Sequence, residues 1–366
     1  MGADCKSAGL CLRKFKSFTR HHAIANVHTA HGSHSLFHYC RLTFGGRIRI
    51  VSSIPKEISW KTLFSGDPKE GWLHSGIGIF SDGQIVFESP GGSAFIVMNP
   101  EDGSFTKVEV TATVLHGITV LQNSSDDVFW ICDPGVDTSG QLLLVNRKGE
   151  LLQRIFRPGT SEGDLVTWKP TTVAVVEAEG PFKGDIWIGD GYGESLVHRI
   201  RPNGAFQTFD GSTTGLVFNC PHGIAIDTRG PESLIAIADR RNKRIVFFTL
   251  DGEYIESISS EFMIGPSSIA VRQDLLIVTD LYGAILSVDR AGKVEILIDS
   301  INPERGEGWP NQIVDGNTTA PTVREGAVNS PHGVAVSASG TVVFTEWYLG
   351  GRVVQILHSS PTKIVN

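Results

Sequence analysis

The chain has 366 residues with 41 Gly, 17 Pro, 40% hydrophobic and 19% charged residues, enough apolar material for a sizeable core but no run of roughly eighteen apolar residues that would read as a membrane-spanning helix. Composition excludes a collagen-like or wholly disordered chain, and length admits either two or three ordinary domains or one large all-β domain. The net charge of −7 averages two unlike parts: residues 1–50 hold eight Lys/Arg against the single Asp4, net +7, which leaves −14 on the rest.

The first element in chain order is that basic segment, which also holds six of the twelve His and three of the five Cys (Cys5, Cys11, Cys40). Basic, nearly free of acid and scattered with serine, it has the composition of a transit peptide. Its histidines would equally form a metal-binding tract, and a poorly ordered leader or a translated upstream stretch has the same character. No secretory signal is expected, because no apolar stretch of the needed length follows the basic residues. We assign 1–50 to a basic, His-rich leader and 51–366 to one domain. Cys132 and Cys220 are the only cysteines beyond the leader, so a reducing, cytoplasmic location is the expectation, with organellar import if the leader is a transit peptide.

Self-comparison of the rest finds six units, each opening on a small or turn residue and an apolar alternation: "LHSGIGIF" at 73, "LHGITV" at 115, "KPTTVAV" at 169, "PHGIAID" at 221, "GPSSIAV" at 265 and "PHGVAV" at 331. A second strand follows in each and ends on an acid: Glu88, Asp133, Asp190, Asp239, Asp280 and Glu346. Recurrence in every unit marks these acids as architectural, since an Asp after a strand satisfies turn N–H groups. A third strand, a Gly-containing turn and a fourth strand complete the first five units. Such a meander cannot bury both faces alone, so the units must stack radially, and the predicted fold is an all-β, six-bladed β-propeller with four-stranded antiparallel blades. The sixth unit runs out near Leu357 without an outer strand, while "WKTLF" (Trp60 to Phe64) is an unpaired strand before the first. Their pairing would close the ring and remove an exposed edge.

Aligning the six openings puts Ser75, His116, Thr171, His222, Ser267 and His332 at one position. In a meander blade the innermost strand starts at the face to which the second strand returns, so these residues share a rim. Histidines in alternate blades of a six-fold ring lie about 120° apart and point at the axis from three sides. Three imidazoles with an open fourth position form the donor set of a catalytic divalent site, zinc by preference though another divalent metal would fit. His74 falls one residue out of phase, and with His198 and His358 it is taken as an ordinary histidine.

The repeat is similar to the NHL type. Over roughly residues 70–357 the blades resemble the lyase domain of the peptidyl-α-hydroxyglycine α-amidating lyase family, most specifically in "PHGIAID" with "IADRRNKRIVFF", "KPTTVAV" with "IGDGYGESLVHRI", and "SPHGVAVSASGTVVFTEW". The resemblance implies a six-bladed propeller with zinc on His116, His222 and His332. It implies a catalytic role for Tyr192, in "GDGYG", and for Arg240, in "ADRRN", on a matching rim position. The chain departs from the family at Glu88 and Ser89, where an arginine is expected, at Ser330 in place of a methionine, and at Gly193 in place of a disulfide cysteine.

The expected function is thus a zinc-dependent, lyase-like cleavage of a carbinolamide or related hydroxylated substrate, small or peptide-like. Tyr192 would take the hydroxyl proton, and Arg240 would bind a substrate carboxylate. The alternatives are a metal-dependent hydrolase on the same site and a non-catalytic NHL-type binding scaffold. The acidic body argues against nucleic acid, although Arg240, Arg241, Lys243 and Arg244 would form a small basic patch. The connection from about Asp299 to Ser330 precedes His332 and is long enough to be a lid or substrate-selecting loop.

Overall fold

A computed structural model describes residues 58–122, 126–159 and 167–358, and the proposed leader lies outside them. Blade 1 is Ile77–Ile79, Ile85–Glu88, Ala94–Met98 and Phe105–Glu109, and blade 2 is Ile118–Leu121, Val128–Asp133, Gln141–Asn146 and Leu151–Ile155. Blade 3 follows as Thr172–Val175, Ile186–Asp190, Leu196–Ile200 and Phe206–Phe209, and blade 4 as Pro221–Asp227, Leu234–Asp239, Arg244–Thr249 and Tyr254–Ser259. Blade 5 comprises Pro266–Arg272, Leu275–Asp280, Ala284–Val288 and Val294–Ile298. These are antiparallel meanders.

Blade 6 takes three strands from the end of the chain, Pro331–Val336, Val342–Glu346 and Arg352–His358, and its fourth, outermost strand from Ile58–Ser65. That strand runs antiparallel to the chain's last one, with Trp60 opposite Ile356 and Thr62 opposite Val354. Trp60 also sets its edge against Phe344 in the middle of the blade, ring centres 5.8 Å apart. The ring is thus shut by backbone hydrogen bonds between the two ends of the domain, which cover the edge of Arg352–His358.

Sequence pattern explains where the core lies. Second and third strands are apolar on both faces and buried, as in Ile235–Ala238 and Ile245–Phe248, whereas outer strands such as Tyr254–Ser259 are largely exposed. Apolar side chains therefore meet between blades. Val176, Trp187 and Val197 of blade 3 pack on Ile224, Ile235, Val246 and Phe248 of blade 4, and the same pairing recurs from blades 4 and 5 around to blades 6 and 1.

The acids that end the second strands tie each blade to the loop before its own first strand. Asp133 accepts the Thr113 and Val114 N–H groups at 2.9 and 3.2 Å, Asp280 those of Ile264 and Gly265, both at 2.7 Å, and Glu88 that of His74 at 2.8 Å. Asp239 and Glu346 add buried ion pairs to Arg244 and Arg352. The long connection before blade 6 is ordered by its own contacts: a hairpin of Gln312–Val314 with Asn317–Thr319, Trp309 stacked on Tyr282 at 5.3 Å, and Asn329 Nδ2 donating to Pro310 O at 2.7 Å.

Two outcomes test this architecture. Deleting residues 58–65 bares the edge of Arg352–His358, and the thermal midpoint falls by about 10 °C or more, a loss of several kcal/mol for a domain of this size. His198 is buried in blade 3 with Nδ1 on Thr208 Oγ1 at 2.9 Å, and burial followed by the Arg157 charge lowers its pKa to about 4. The unfolded chain takes that proton near pH 6.5 while the folded one does not, so stability falls as pH drops from about 6.5 towards 4, by about 1.4 kcal/mol per unit. In His198→Gln the slope of denaturant stability against pH flattens over that window.

Candidate metal centre

His116, His222 and His332 stand at the starts of the innermost strands of blades 2, 4 and 6, all at least 97% buried. Their ring centres form a nearly equilateral triangle with sides of 4.8, 4.8 and 4.9 Å. They stand at the strand-start end of an axial channel of about 280 Å³, whose walls below them are Ile77, Ile118, Val173, Ile224, Ile269 and Val334.

The intervening blades orient these rings. His116 Nδ1 donates to the Thr171 carbonyl at 2.7 Å, His222 Nδ1 to Ser267 O at 2.9 Å, and His332 Nδ1 to Ser75 O at 3.1 Å. Ser75, Thr171 and Ser267 are the residues that alternate with the histidines in the aligned repeat. A carbonyl only accepts, so each Nδ1 carries the proton and each Nε2 presents a bare lone pair. The glycine after each histidine admits the neighbouring carbonyl: a Cβ on Gly117 would lie 2.5 Å from Thr171 O, and one on Gly223 2.5 Å from Ser267 O.

Tyr192, at the turn after the second strand of blade 3, brings its hydroxyl to 2.9 Å from His222 Nε2 and 3.2 Å from His116 Nε2. Arg240 is buried beside it, with Nη1 3.5 Å from that hydroxyl and Nη2 donating to Ser267 Oγ at 2.7 Å. A phenol has one proton to give, and three bare Nε2 atoms need a partner; His332 Nε2 is buried with none among the described residues. A divalent cation would satisfy that donor set. Burial, reinforced by the Arg240 charge, drives the imidazoles to the neutral form that metals require: His116 is lowered to about 3, and His222 and His332 lie well below the ordinary value.

The structure adds one residue the aligned repeat left out. His74 is not an ordinary histidine: its Nε2 is 3.3 Å from the Tyr192 hydroxyl, its ring centre 4.6 Å from that of His332 and 4.9 Å from that of His116, and the ligand atoms of His74, His116 and His332 lie within 4.8 Å of one another. Alignment by the small residue before the alternation hid it. The signal was the dipeptide "LH", shared by Leu73–His74 and Leu115–His116, with one extra residue, Ser75, before the glycine of blade 1. His74 is pushed towards the neutral form by burial, then by His116 and Arg240.

Other sequence candidates have structural surroundings. Glu88 is buried under the His74 loop and raised by burial to about 8. Ser330 Oγ donates to Trp347 O at 2.6 Å. The expected basic patch dissolves, because Arg240 and Arg244 are 8% and 7% exposed and Arg244 is spent on Asp239, which leaves only Arg241 and Lys243 in solvent. Among the described residues no helix is long and apolar enough to cross a membrane.

No protein-family model matches the chain. Peptidyl-glycine alpha-amidating monooxygenase B of Xenopus laevis is 28% identical over 157 residues, which is 40% of this chain and 16% of that protein; the chain thus covers a small fraction of the curated relatives it matches. Among solved structures, a streptogramin B lyase superposes with a TM-score of 0.56 at 17% identity, covering 84% of this chain and all of the other. A gluconolactonase from Xanthomonas campestris does so with a TM-score of 0.55 at 14% identity, covering 82% and 89%. At these identities the structural likeness is one of fold.

The carbonyl clamps predict that Gly223→Ala, which forces Ser267 O away from His222, weakens any divalent-metal binding measured by calorimetry about 10- to 100-fold while the chain still folds.

Proposed function

We propose that this chain is a zinc-dependent, lyase-like enzyme on an NHL-type propeller, with His116, His222 and His332 as metal ligands. Its substrate is a carbinolamide or related hydroxylated compound, small or peptide-like. The observation that carries the reading is the set of three Nε2 lone pairs, each left bare because its ring's proton is donated elsewhere, two of them facing the Tyr192 hydroxyl and the third, on His332, without a partner among the described residues. The sequence likeness to an amidating enzyme over part of the chain points the same way.

A carbinolamide breaks when its hydroxyl loses a proton and the oxygen's electron pair expels the nitrogen, giving a carbonyl compound and an amide. A divalent cation held by the histidines would supply Lewis acidity, easing loss of that proton. Tyr192, acting as the phenolate, is the group that receives it and passes it on to the departing amide nitrogen, which restores the phenolate, its oxygen being already within 3.2 Å of two of the ligand nitrogens. Arg240 holds positive charge beside that oxygen, and its Nε, buried and without an acceptor among the described residues, is free to take a carboxylate or carbonyl oxygen of the substrate. With Glu88 and Ser89 in place of the arginine the family carries, substrate selection differs from that of the amidating lyases.

Purified protein is expected to hold about one zinc per chain by elemental analysis, lost on His222→Ala or His332→Ala. Tyr192→Phe keeps the zinc and lowers turnover of an N-acyl carbinolamide about 100-fold or more. In heavy-oxygen water the acyl fragment leaves as an unlabelled amide. Absence of bound metal defeats the reading, and label in the acyl carbonyl replaces it with hydrolysis.

A further inference from the structure

We propose that His74 is a fourth, displaceable histidine ligand of the axial metal, which closes the coordination shell at rest and yields its position to the substrate hydroxyl. The inference rests on the zinc reading above and extends it to a residue outside the aligned repeat.

Geometry is the first support. A zinc–nitrogen bond of about 2 Å puts an imidazole centre about 3 Å from the metal, so tetrahedral neighbours have ring centres about 5 Å apart. Among the four histidines the five ring pairs in contact measure 4.9 Å for His74 with His116, 4.6 Å for His74 with His332, and 4.8, 4.8 and 4.9 Å within the triad. His74 therefore stands to two members of the triad as they stand to each other. Its Nε2 faces the same phenolic oxygen as those of His116 and His222.

The way His74 is held makes it the ligand that can leave. The other three are buried and clamped through Nδ1 to the next blade's carbonyl. His74 is only partly buried, shows no such clamp among the described residues, and sits on the short link between Leu73 and the first strand of blade 1. Its backbone is steady, since its N–H is bonded to Glu88 and the preceding Trp72–Leu73 pairs with Tyr348–Leu349. Its ring rests on Trp347 at 5.1 Å. Rotation about the side-chain bonds would uncover the position next to Tyr192 Oη, which is where a substrate hydroxyl must lie to pass its proton to that oxygen. Four nitrogens at rest leave solvent no coordination position, which favours elimination over hydrolysis.

The test is NMR of protein carrying nitrogen-15 in its histidines, titrated with zinc alone. Four imidazole Nε2 resonances are expected to move on zinc addition, one of them absent in His74→Ala, whose zinc affinity drops about tenfold or more. His74→Asn provides the same assignment if the alanine variant does not fold. Saturating acetohydroxamate, an oxygen-donor probe, then returns the His74 resonance alone to its zinc-free position. If three resonances move and that of His74 does not, the fourth-ligand assignment is wrong while the zinc site stands. If none moves, both readings fall. Persistence of all four shifts in acetohydroxamate overturns the displacement.

Discussion

A four-stranded meander leaves apolar side chains on both faces, and here each blade covers them only by pressing on two neighbours. Six blades achieve this only as a closed circle, so the pairing of Ile58–Ser65 with Arg352–His358 governs more than the edge it seals. Were the ring open, the interface between blades 6 and 1, with Ile77 and Phe87 against Val343 and Val353, would face water. Closure also brings Ser75 of blade 1 against His332 of blade 6, residues far apart in the chain, and thereby completes the axial site.

Within that circle a six-fold scaffold carries a three-fold device. The same backbone position supplies an imidazole in blades 2, 4 and 6 and a carbonyl from a Ser or Thr residue in blades 1, 3 and 5. Donor and acceptor alternate, so each axis-facing ring is held by the neighbouring blade rather than its own. Glycine follows every one of these histidines because the acceptor comes too close for a side chain. The result is an electron-rich cluster with too few protons, buried beside the one guanidinium of Arg240, and that imbalance fits a metal ion better than it fits packing.

The repeat made most of this readable from the chain. Blade count, the acids that end the second strands, the strand that closes the ring and the three equivalent histidines all follow from positions that recur, because recurrence converts sequence spacing into angle around an axis. The places where that reasoning failed are places where blades differ. His74 lies in the only opening with an extra residue between "LH" and glycine, and alignment on Ser75 moved it out of the site. Charge pattern alone set Arg240 and Arg244 in a solvated basic run, although the resemblance had put Arg240 on the rim; one is bound to Ser267 and faces Tyr192 while the other is spent on Asp239. The turn curls both side chains inward, which local charge pattern does not reveal.

From the chain alone come the periodicity, hence the architecture, and the alternation of histidine with small residues, hence the three-fold set. These are properties of local pattern repeated, and any closed ring built from the units would display them. Which carbonyl each imidazole meets, which nitrogen keeps its proton, and whether a fourth histidine reaches the axis depend on contacts between blades separated by tens to hundreds of residues. Those contacts exist only once the two ends of the domain have paired, so the protonation and reach of the site belong to the tertiary structure.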